Sequence, residues 1–427
     1  MIVMQMRGDT ERYPVSLNVT RKVPKKILML LQSDYPSDIR VQKEIRALTG
    51  CGYRLYLLCN NGTLRPAEES LDGATVRRLA ALKWLPAGIR KALRLPLFFN
   101  PVWIFYLWYA VRKYRVDCLH VHDLPLVLSA IWVGKLNKLP VVYDMHENYP
   151  AAMEVWYRRD LQHLVLKNYR LARTLDRFCL SRVERIIVVV DEQKDNLIAQ
   201  GIPADKITVV GNTVDVDTFF SFQLDSTVIQ RYRDNFVILY VGSFAVDRGL
   251  ETPIHAMTLL REKLPAVKLL YVGDGKNRKA LEKSVVERGL EDCVEFVGWV
   301  NFELVSSYVH ASRVCIIPQP SNPANDTTIP HKLFQYMAVG KPVVTSDAKP
   351  IERVVRECGC GLSFKSTSFR DFADTIVKIS GKENEFGTNG QRAVREKYNW
   401  KATSKALLGL YKGVWQSVEN DKQQERL

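Results

Sequence analysis

The sequence predicts two successive doubly wound α/β domains that face each other across a cleft. Three observations carry this prediction. Short apolar, β-branched runs alternate with helical stretches, the pattern of parallel sheets covered on both faces. The alternation stops near residue 215 and restarts with a new first strand at Phe236–Val241. A length of 427 residues also exceeds one ordinary core and suits two.

Taken in order, residues 1–25 are polar and mixed in charge, lack the apolar core of a signal peptide, and read as a disordered leader. Lys26–Leu31 is a buried-strand run, Gln32–Asp38 a loop, 39–50 a helix ending in Gly50-Cys51-Gly52, and Tyr53–Leu58 the next strand. Strands at Asp117–Val121, Val141–Asp144, Arg185–Val190 and Ile207–Val210 complete a first domain over 26–215. In the second domain, 216–400, Phe236–Val241 is followed by strands at Val267–Val272, Val294–Val297, Val314–Ile317 and Val343–Ser346. Residues 401–427 predict a terminal helix, with Leu407, Tyr411 and Trp415 on an apolar side that packs back on the first domain. Ligands in such sheets bind beyond the carboxyl ends of the strands, and the cleft between two such domains is the default site.

Composition narrows the partners. A net charge of +15 points to an anionic ligand or surface, and no nucleic-acid recognition module accompanies it. Eight cysteines without a Cys-x-x-Cys imply a reducing, cytoplasmic setting with neither a disulfide framework nor a zinc site. Residues 73–116 hold nine Lys/Arg and no acid, and include the aromatic run Leu95–Val111. Pro96, Asn100 and Pro101 break that run, so it does not span a membrane. A basic, aromatic insert suits an anionic membrane surface, while the plainer reading is a helix buried beside the sheet. Trp156–Arg185, rich in arginine, lines the same surface or forms a solvated helix face.

The stretch Asp326–Asp347 reads as a helix marked at both ends. Thr327 or Thr328 caps it, Pro330 suits its first position, Gly340 is a left-handed stop, and Pro342 prevents resumption. Free amides near His331–Leu333, with Lys332 close by, make an anion site. After the first strand of the second domain, Gly242-Ser243 allows close backbone approach and Arg248 offers a forked donor for a diphosphate. Gly273 repeats the strand-then-glycine arrangement. In the first domain, His120-Val121-His122-Asp123 and Asp144-Met145-His146-Glu147 close two neighbouring strands. Their histidines and carboxylates could suggest a metal, but the favoured reading is no metal, with His146 a hydrogen-bonding group at the reacting centre. Asp215-Val216-Asp217 reads as a turn.

In their order and spacing, these motifs resemble the retaining glycosyltransferases of family 4, with the GT-B fold, over about residues 26–418. The carrying residues are Asp38-Ile39-Arg40-Val41, His120–Asp123, Asp144–Glu147, Gly211–Asp215, Val241–Leu250, Val272–Gly275 and, above all, Pro330–Val344. The resemblance implies a nucleotide-diphosphate sugar bound by the second domain, an acceptor entering from the first, and no metal or other cofactor. His146 and Arg248 would be catalytic. Gly242, Ser243, Arg248, Gly273, Asp326, Thr327, Thr328, His331, Lys332, Leu333 and Gln335 would bind the donor. Asp38, Arg40, His122, Asp123 and Glu147 would face the acceptor. Two glutamates usual in the family stand here as Thr327 and Gln335, and the glycine pair usual after the first strand is absent from Gln32–Asp38. The implied function is transfer to a glycan or lipid-linked acceptor in surface polysaccharide or glycolipid synthesis, peripheral to the inner membrane face. The alternative is a degenerate member that binds a nucleotide sugar or scaffolds at a membrane; an epimerase of the same fold ranks third.

Overall fold

In the computed structural model the described residues are 23–80, 98–155 and 168–424. The leader over 1–22, residues 81–97 and 156–167 of the two basic stretches, and 425–427 lie outside them. All eleven expected strands are present, with ends within three residues of expectation.

The first domain holds β1 (Lys26–Asp34), β2 (Arg54–Asn60), β3 (Glu68–Leu71), β4 (Ala74–Arg78), β5 (Cys118–His122), β6 (Val141–Asp144), β7 (Arg185–Val188) and β8 (Ile207–Val209). They form one sheet in the order β3-β4-β2-β1-β5-β6-β7-β8, parallel except for the β3–β4 pair. The second domain holds β9 (Phe236–Val241), β10 (Val267–Val272), β11 (Val294–Gly298), β12 (Val314–Ile317), β13 (Val343–Thr345) and β14 (Gly361–Ser363). Its sheet, β11-β10-β9-β12-β13-β14, is parallel throughout.

Two expectations are corrected here. Residues 73–116 are not one insert, because they begin with β4, the second arm of a hairpin. Asp72 and Gly73 turn it with φ of 53° and 85°, the positive pair that a two-residue hairpin of Asp-Gly type requires. Apart from Phe98 and Phe99, which precede it, the described aromatic residues of that stretch belong to α2 (Pro101–Tyr114), following α1 (Ile39–Gly50). Asn100 caps α2 by accepting from the amides of Val102 and Trp103, and Trp103, Leu107, Ala110 and Val111 sit in the core. Beside it pack α3 (Val127–Asn137) and then α4 (Tyr169–Arg182).

The second correction concerns α5 (His331–Val339). Gly340 does end it, with φ 80° and its amide on the Met337 carbonyl at 3.0 Å. No side chain caps its start. Pro330 itself, in an extended conformation, is the cap residue, while Thr327 lies in the preceding 3₁₀ turn Asn325–Thr327. The last long helix, α6 (Trp400–Gln424), returns to the first domain and places Leu407, Tyr411 and Val414 in one core with Ile27 and Met29.

The carboxyl ends of both sheets face one cleft. Across it Asn212 Nδ2 donates to the Ile329 carbonyl (2.9 Å), Thr328 Oγ donates to the His146 carbonyl (3.1 Å), and Arg353 pairs with Glu192.

Candidate functional site

Two cavities open side by side in the cleft. The larger, of about 570 Å³, is floored by Gly242, Gly273 and Gln335 and walled by Trp299, Phe302 and Lys43. The smaller, of about 190 Å³, collects His146, Glu147, Asp247, Arg248, Gln319 and Asn325. Neighbouring residues divide between them. Asn212 and Pro330 line the small chamber, Thr213 and His331 the large one, so the start of α5 stands at their junction.

Glycine shapes the large chamber. Gly242 and Gly273 close β9 and β10 with φ of 139° and 137°. A Cβ on Gly273 would run into the Gly242 carbonyl, so only glycine lets these two turns nest. Gln335, 9% exposed and one helical turn after His331, faces the same chamber. The amides of His331 and Lys332 have no hydrogen-bond partner among the described residues, whereas that of Leu333 reaches back to the Pro330 carbonyl at 3.3 Å. The anion-binding helix start is therefore one amide shorter than expected.

The small chamber is organised by buried charge. Arg40 reaches from α1 and grips both oxygens of Asp144, Nε to Oδ2 at 3.1 Å and Nη2 to Oδ1 at 2.8 Å. It also donates to the Val210 carbonyl and Asn212 Oδ1. Burial works against the guanidinium charge, but Asp144 and Glu44 outweigh it and hold the Arg40 pKa up. Burial likewise disfavours ionised Asp144, yet Arg40 and His146 keep its pKa well below the usual carboxylate range. Glu44 is pushed up by burial and by the neighbouring charge of Asp144.

His146 stands at the edge of this network, its side chain 17% exposed. Its Nε2 lies 3.0 Å from His122 Nδ1 and 3.2 Å from Asp144 Oδ2, and its Nδ1 faces Asp123 Oδ2 at 3.7 Å and Asp38 Oδ2 at 3.8 Å. Burial alone would neutralise the ring, but Asp123 and Asp144 raise its pKa to about 10. Burial and His120 drive His122 down to about 3. A charged His146 therefore donates toward a neutral His122. Asp123 fixes the backbone here by accepting from the His146 amide at 3.1 Å while holding an uncommon φ of 61°. Burial and Asp123 raise Glu147, which also lines the chamber, to about 7.

Among the described residues, one group could hold a metal: Glu44, His120, His122 and Asp144, with ligand atoms within 4.8 Å of one another. These residues fit a metal poorly. Both Asp144 oxygens are taken by Arg40, and His120 Nδ1 is 2.6 Å from the Tyr411 hydroxyl of α6.

Several expected site residues fall elsewhere. Arg40 is 2% exposed and acts through Asp144 rather than facing an acceptor. Thr327 turns its hydroxyl onto the Pro323 and Ala324 carbonyls, and Asp326 accepts from Ser321 Oγ and the Lys349 amide, outside both chambers. Leu333 is fully buried in the core. Ser243 is exposed and lines neither chamber. The Lys332 amine lies 3.8 Å over the Tyr240 ring, beside Gly242, where burial and Arg248 push its pKa well down. The chambers instead contain Asn212, Asp247, Gln319, Asn325 and Trp299, none of which was expected. Gln319 lies just beyond the carboxyl end of β12, a position that strand-end logic alone could have flagged.

Comparison with known proteins agrees with this geometry. The family described as "Glycosyl transferase 4-like domain" matches residues 38–213, and "Glycosyl transferases group 1" matches 235–381. An uncharacterized glycosyltransferase of Methanocaldococcus jannaschii is 24% identical over 71% of this chain and 76% of its own length. An amylovoran biosynthesis glycosyltransferase of Erwinia amylovora is 29% identical over 44% of this chain and 45% of its own length. Among solved structures, sucrose-phosphate synthase from Thermosynechococcus elongatus superposes with a TM-score of 0.73 at 20% identity, covering 92% of this chain and all of that one. The Anabaena protein HepE, solved with UDP and glucose, gives 0.68 at 16% identity, covering 91% of this chain and all of that one. Two matched domain families, two parallel sheets and a cleft at their carboxyl ends agree: the chain belongs to the family 4 glycosyltransferases of GT-B fold.

Proposed function

We propose that this glycosyltransferase moves a sugar from a nucleotide-diphosphate donor to a glycan or lipid-linked acceptor, with retention of configuration and without a metal ion. The observation that carries this reading is the paired chamber divided by the start of α5. The large chamber suits a nucleoside, with Trp299 and Phe302 for the base and Gln335 for the ribose hydroxyls. The diphosphate would sit at the junction, on the amides of His331 and Lys332 with Arg248 beside it. The sugar would then enter the small chamber against His146. The anomeric bond to the diphosphate breaks as the acceptor oxygen bonds the same carbon on the same face, and the acceptor proton leaves on the diphosphate. Preorganised positive groups at the departing oxygens supply the stabilisation a metal would give. The HepE structure with UDP and glucose supports a UDP-linked donor.

A position at the inner face of the membrane is part of the proposal. The outer faces of α2, α3 and α4 expose Phe105, Trp108, Trp132, Leu136 and Phe178, with Arg112 over Trp108 and Arg182 over Phe178. The one acid in those three helices is Asp176, which is buried and accepts from the Tyr143 hydroxyl. An apolar surface bordered by arginines suits anionic headgroups, and the acids beside it, Glu68 and Glu154, are paired with Lys113 and Arg173. No described helix is long and apolar enough to cross a membrane.

The test is thermal stabilisation of the purified chain by UDP, GDP and ADP, followed by transfer from the matching sugar donor with and without EDTA. One nucleotide should raise the melting temperature, Arg248→Ala should weaken that effect, and EDTA should leave transfer intact. Stabilisation by none of the three, with no donor turned over, would sink the reading. Loss of transfer in EDTA would overturn its metal independence.

A further inference from the structure

Two polar atoms on residues lining the small chamber have no hydrogen-bond partner among the described residues: Nε2 of Gln319 and Oδ1 of Asp247. Gln319 is 2% exposed, and buried donors left unpaired are rare. Its orientation is determined by Arg248, whose Nη1 donates to Gln319 Oε1 at 3.3 Å. Turning the carboxamide over would set its NH₂ against the guanidinium, donor to donor. The oxygen thus stays on Arg248, and the nitrogen is left for the chamber. The backbone is held as well, since Ser346 Oγ donates to the Gln319 carbonyl. Asp247 comes from the turn Val246–Arg248 and lines the same chamber, so it brings an acceptor to the space that holds the donor.

A sugar hydroxyl both donates and accepts, and two adjacent hydroxyls satisfy this pair together. The wall is acidic in balance, with Asp123 and Glu147 joining Asp247 against His146, while Arg248 is turned to Gln319 and the diphosphate. At about 190 Å³ the chamber is well below the roughly 300–1,000 Å³ of a whole-ligand pocket and suits a single ring. We infer that Gln319 and Asp247 are the specificity-determining residues for the transferred sugar. They recognise adjacent hydroxyls of a neutral hexose, and the carboxylates around them reject a uronic acid. The inference rests on the donor reading above and narrows it to a sugar class. Gln319 and Asp247 thereby take over the sugar contact that position 327 does not make, its hydroxyl being spent on Pro323 and Ala324.

The experiment compares the full chain with Gln319→Glu and Asp247→Asn, near-isosteric changes: the first keeps an oxygen on Arg248 while removing the donor, and the second neutralises the acceptor. Binding is measured for UDP, UDP-glucose, UDP-galactose and UDP-glucuronic acid, and for GDP and GDP-mannose. UDP or GDP alone should bind each variant within about threefold of the parent. The preferred neutral nucleotide sugar should lose about tenfold or more, the loss of roughly one directed hydrogen bond. UDP-glucuronic acid should bind the parent at least tenfold more weakly than the neutral donors. Equal losses for nucleotide and nucleotide sugar would mean a merely structural role and overturn the inference. Unchanged sugar binding, or a uronic acid accepted like a neutral hexose, would also overturn it. These results differ from failure of the donor reading itself, in which neither UDP nor GDP binds the parent.

Discussion

His146 gathers three carboxylates around one ring, and its charge follows from them rather than from its exposure. Its folded pKa of about 10 lies above the unfolded value of about 6.5. The stability this group contributes is therefore complete below about pH 6.5 and is lost as pH rises through about 10. Urea titrations of the parent and His146→Gln at pH 6, 8 and 9.5 should show a gap that narrows with pH; a constant gap would contradict this account. Arg40 tests the same network from beneath. Arg40→Met leaves Asp144 buried without its cation and should cost about 3–5 kcal/mol in denaturant unfolding. Arg40→Lys should recover little, because one ammonium cannot span Asp144, the Val210 carbonyl and Asn212 together. This residue also shows what a sequence hides. Arg40 reads as a residue at a helix start facing an acceptor, and its partner Asp144 lies 104 positions away.

Elements were far more legible than contacts. The strands announce themselves through local apolar runs and the end of α5 through Gly340, because strand and stop signals are short-range. The start of α5 was misread because Thr327 had two uses for its hydroxyl. The 3₁₀ turn before it places the Pro323 and Ala324 carbonyls within 2.9 and 3.0 Å of that hydroxyl, which caps no amide of the helix. The β3–β4 hairpin carries a strong turn signal in Asp72-Gly73, but the charge and aromatic content of the residues that follow mask it as part of an insert. The helical face of α2, α3 and α4 carries its own prediction. The full chain should sediment with vesicles of phosphatidylcholine and phosphatidylglycerol, less with phosphatidylcholine alone, and less again at high salt. Replacing Trp108 and Trp132 together by Ser should weaken that binding about tenfold or more while the affinity for free nucleotide stays unchanged. Equal binding to both vesicle types would remove the electrostatic half of the argument.

At the scale of the whole molecule, both chambers exist only while the two sheets hold their present separation. Arg353, on the helix Lys349–Cys358 of the second domain, clasps Glu192 of the first with two nitrogens, one at 3.2 Å. Arg353→Ala should widen the cleft, seen as a larger radius of gyration by small-angle scattering. Nucleotide sugar should bind several-fold more weakly, and the unfolding midpoint should move little, since a partly exposed pair contributes about 1 kcal/mol. An unchanged radius with unchanged affinity would show that the backbone contacts of Asn212 and Thr328 suffice to set the separation.

The return of α6 has a consequence for how the molecule is made. Leu407, Tyr411 and Val414 complete the core around Ile27 and Met29, and the Tyr411 hydroxyl reaches the buried His120. During synthesis the first sheet therefore emerges with one apolar face covered only in part, by α1, and it stays so until the second domain has been translated. At about 5–20 residues per second, the roughly 190 residues from 210 to 400 hold that face open for about 10–40 s. The second domain, which has its own sheet with packed residues on both faces, can fold first. The nascent first domain is then the stretch a chaperone should occupy, and ribosome-bound chains halted before residue 400 should remain sensitive to protease within 26–215 while 216–400 is already resistant.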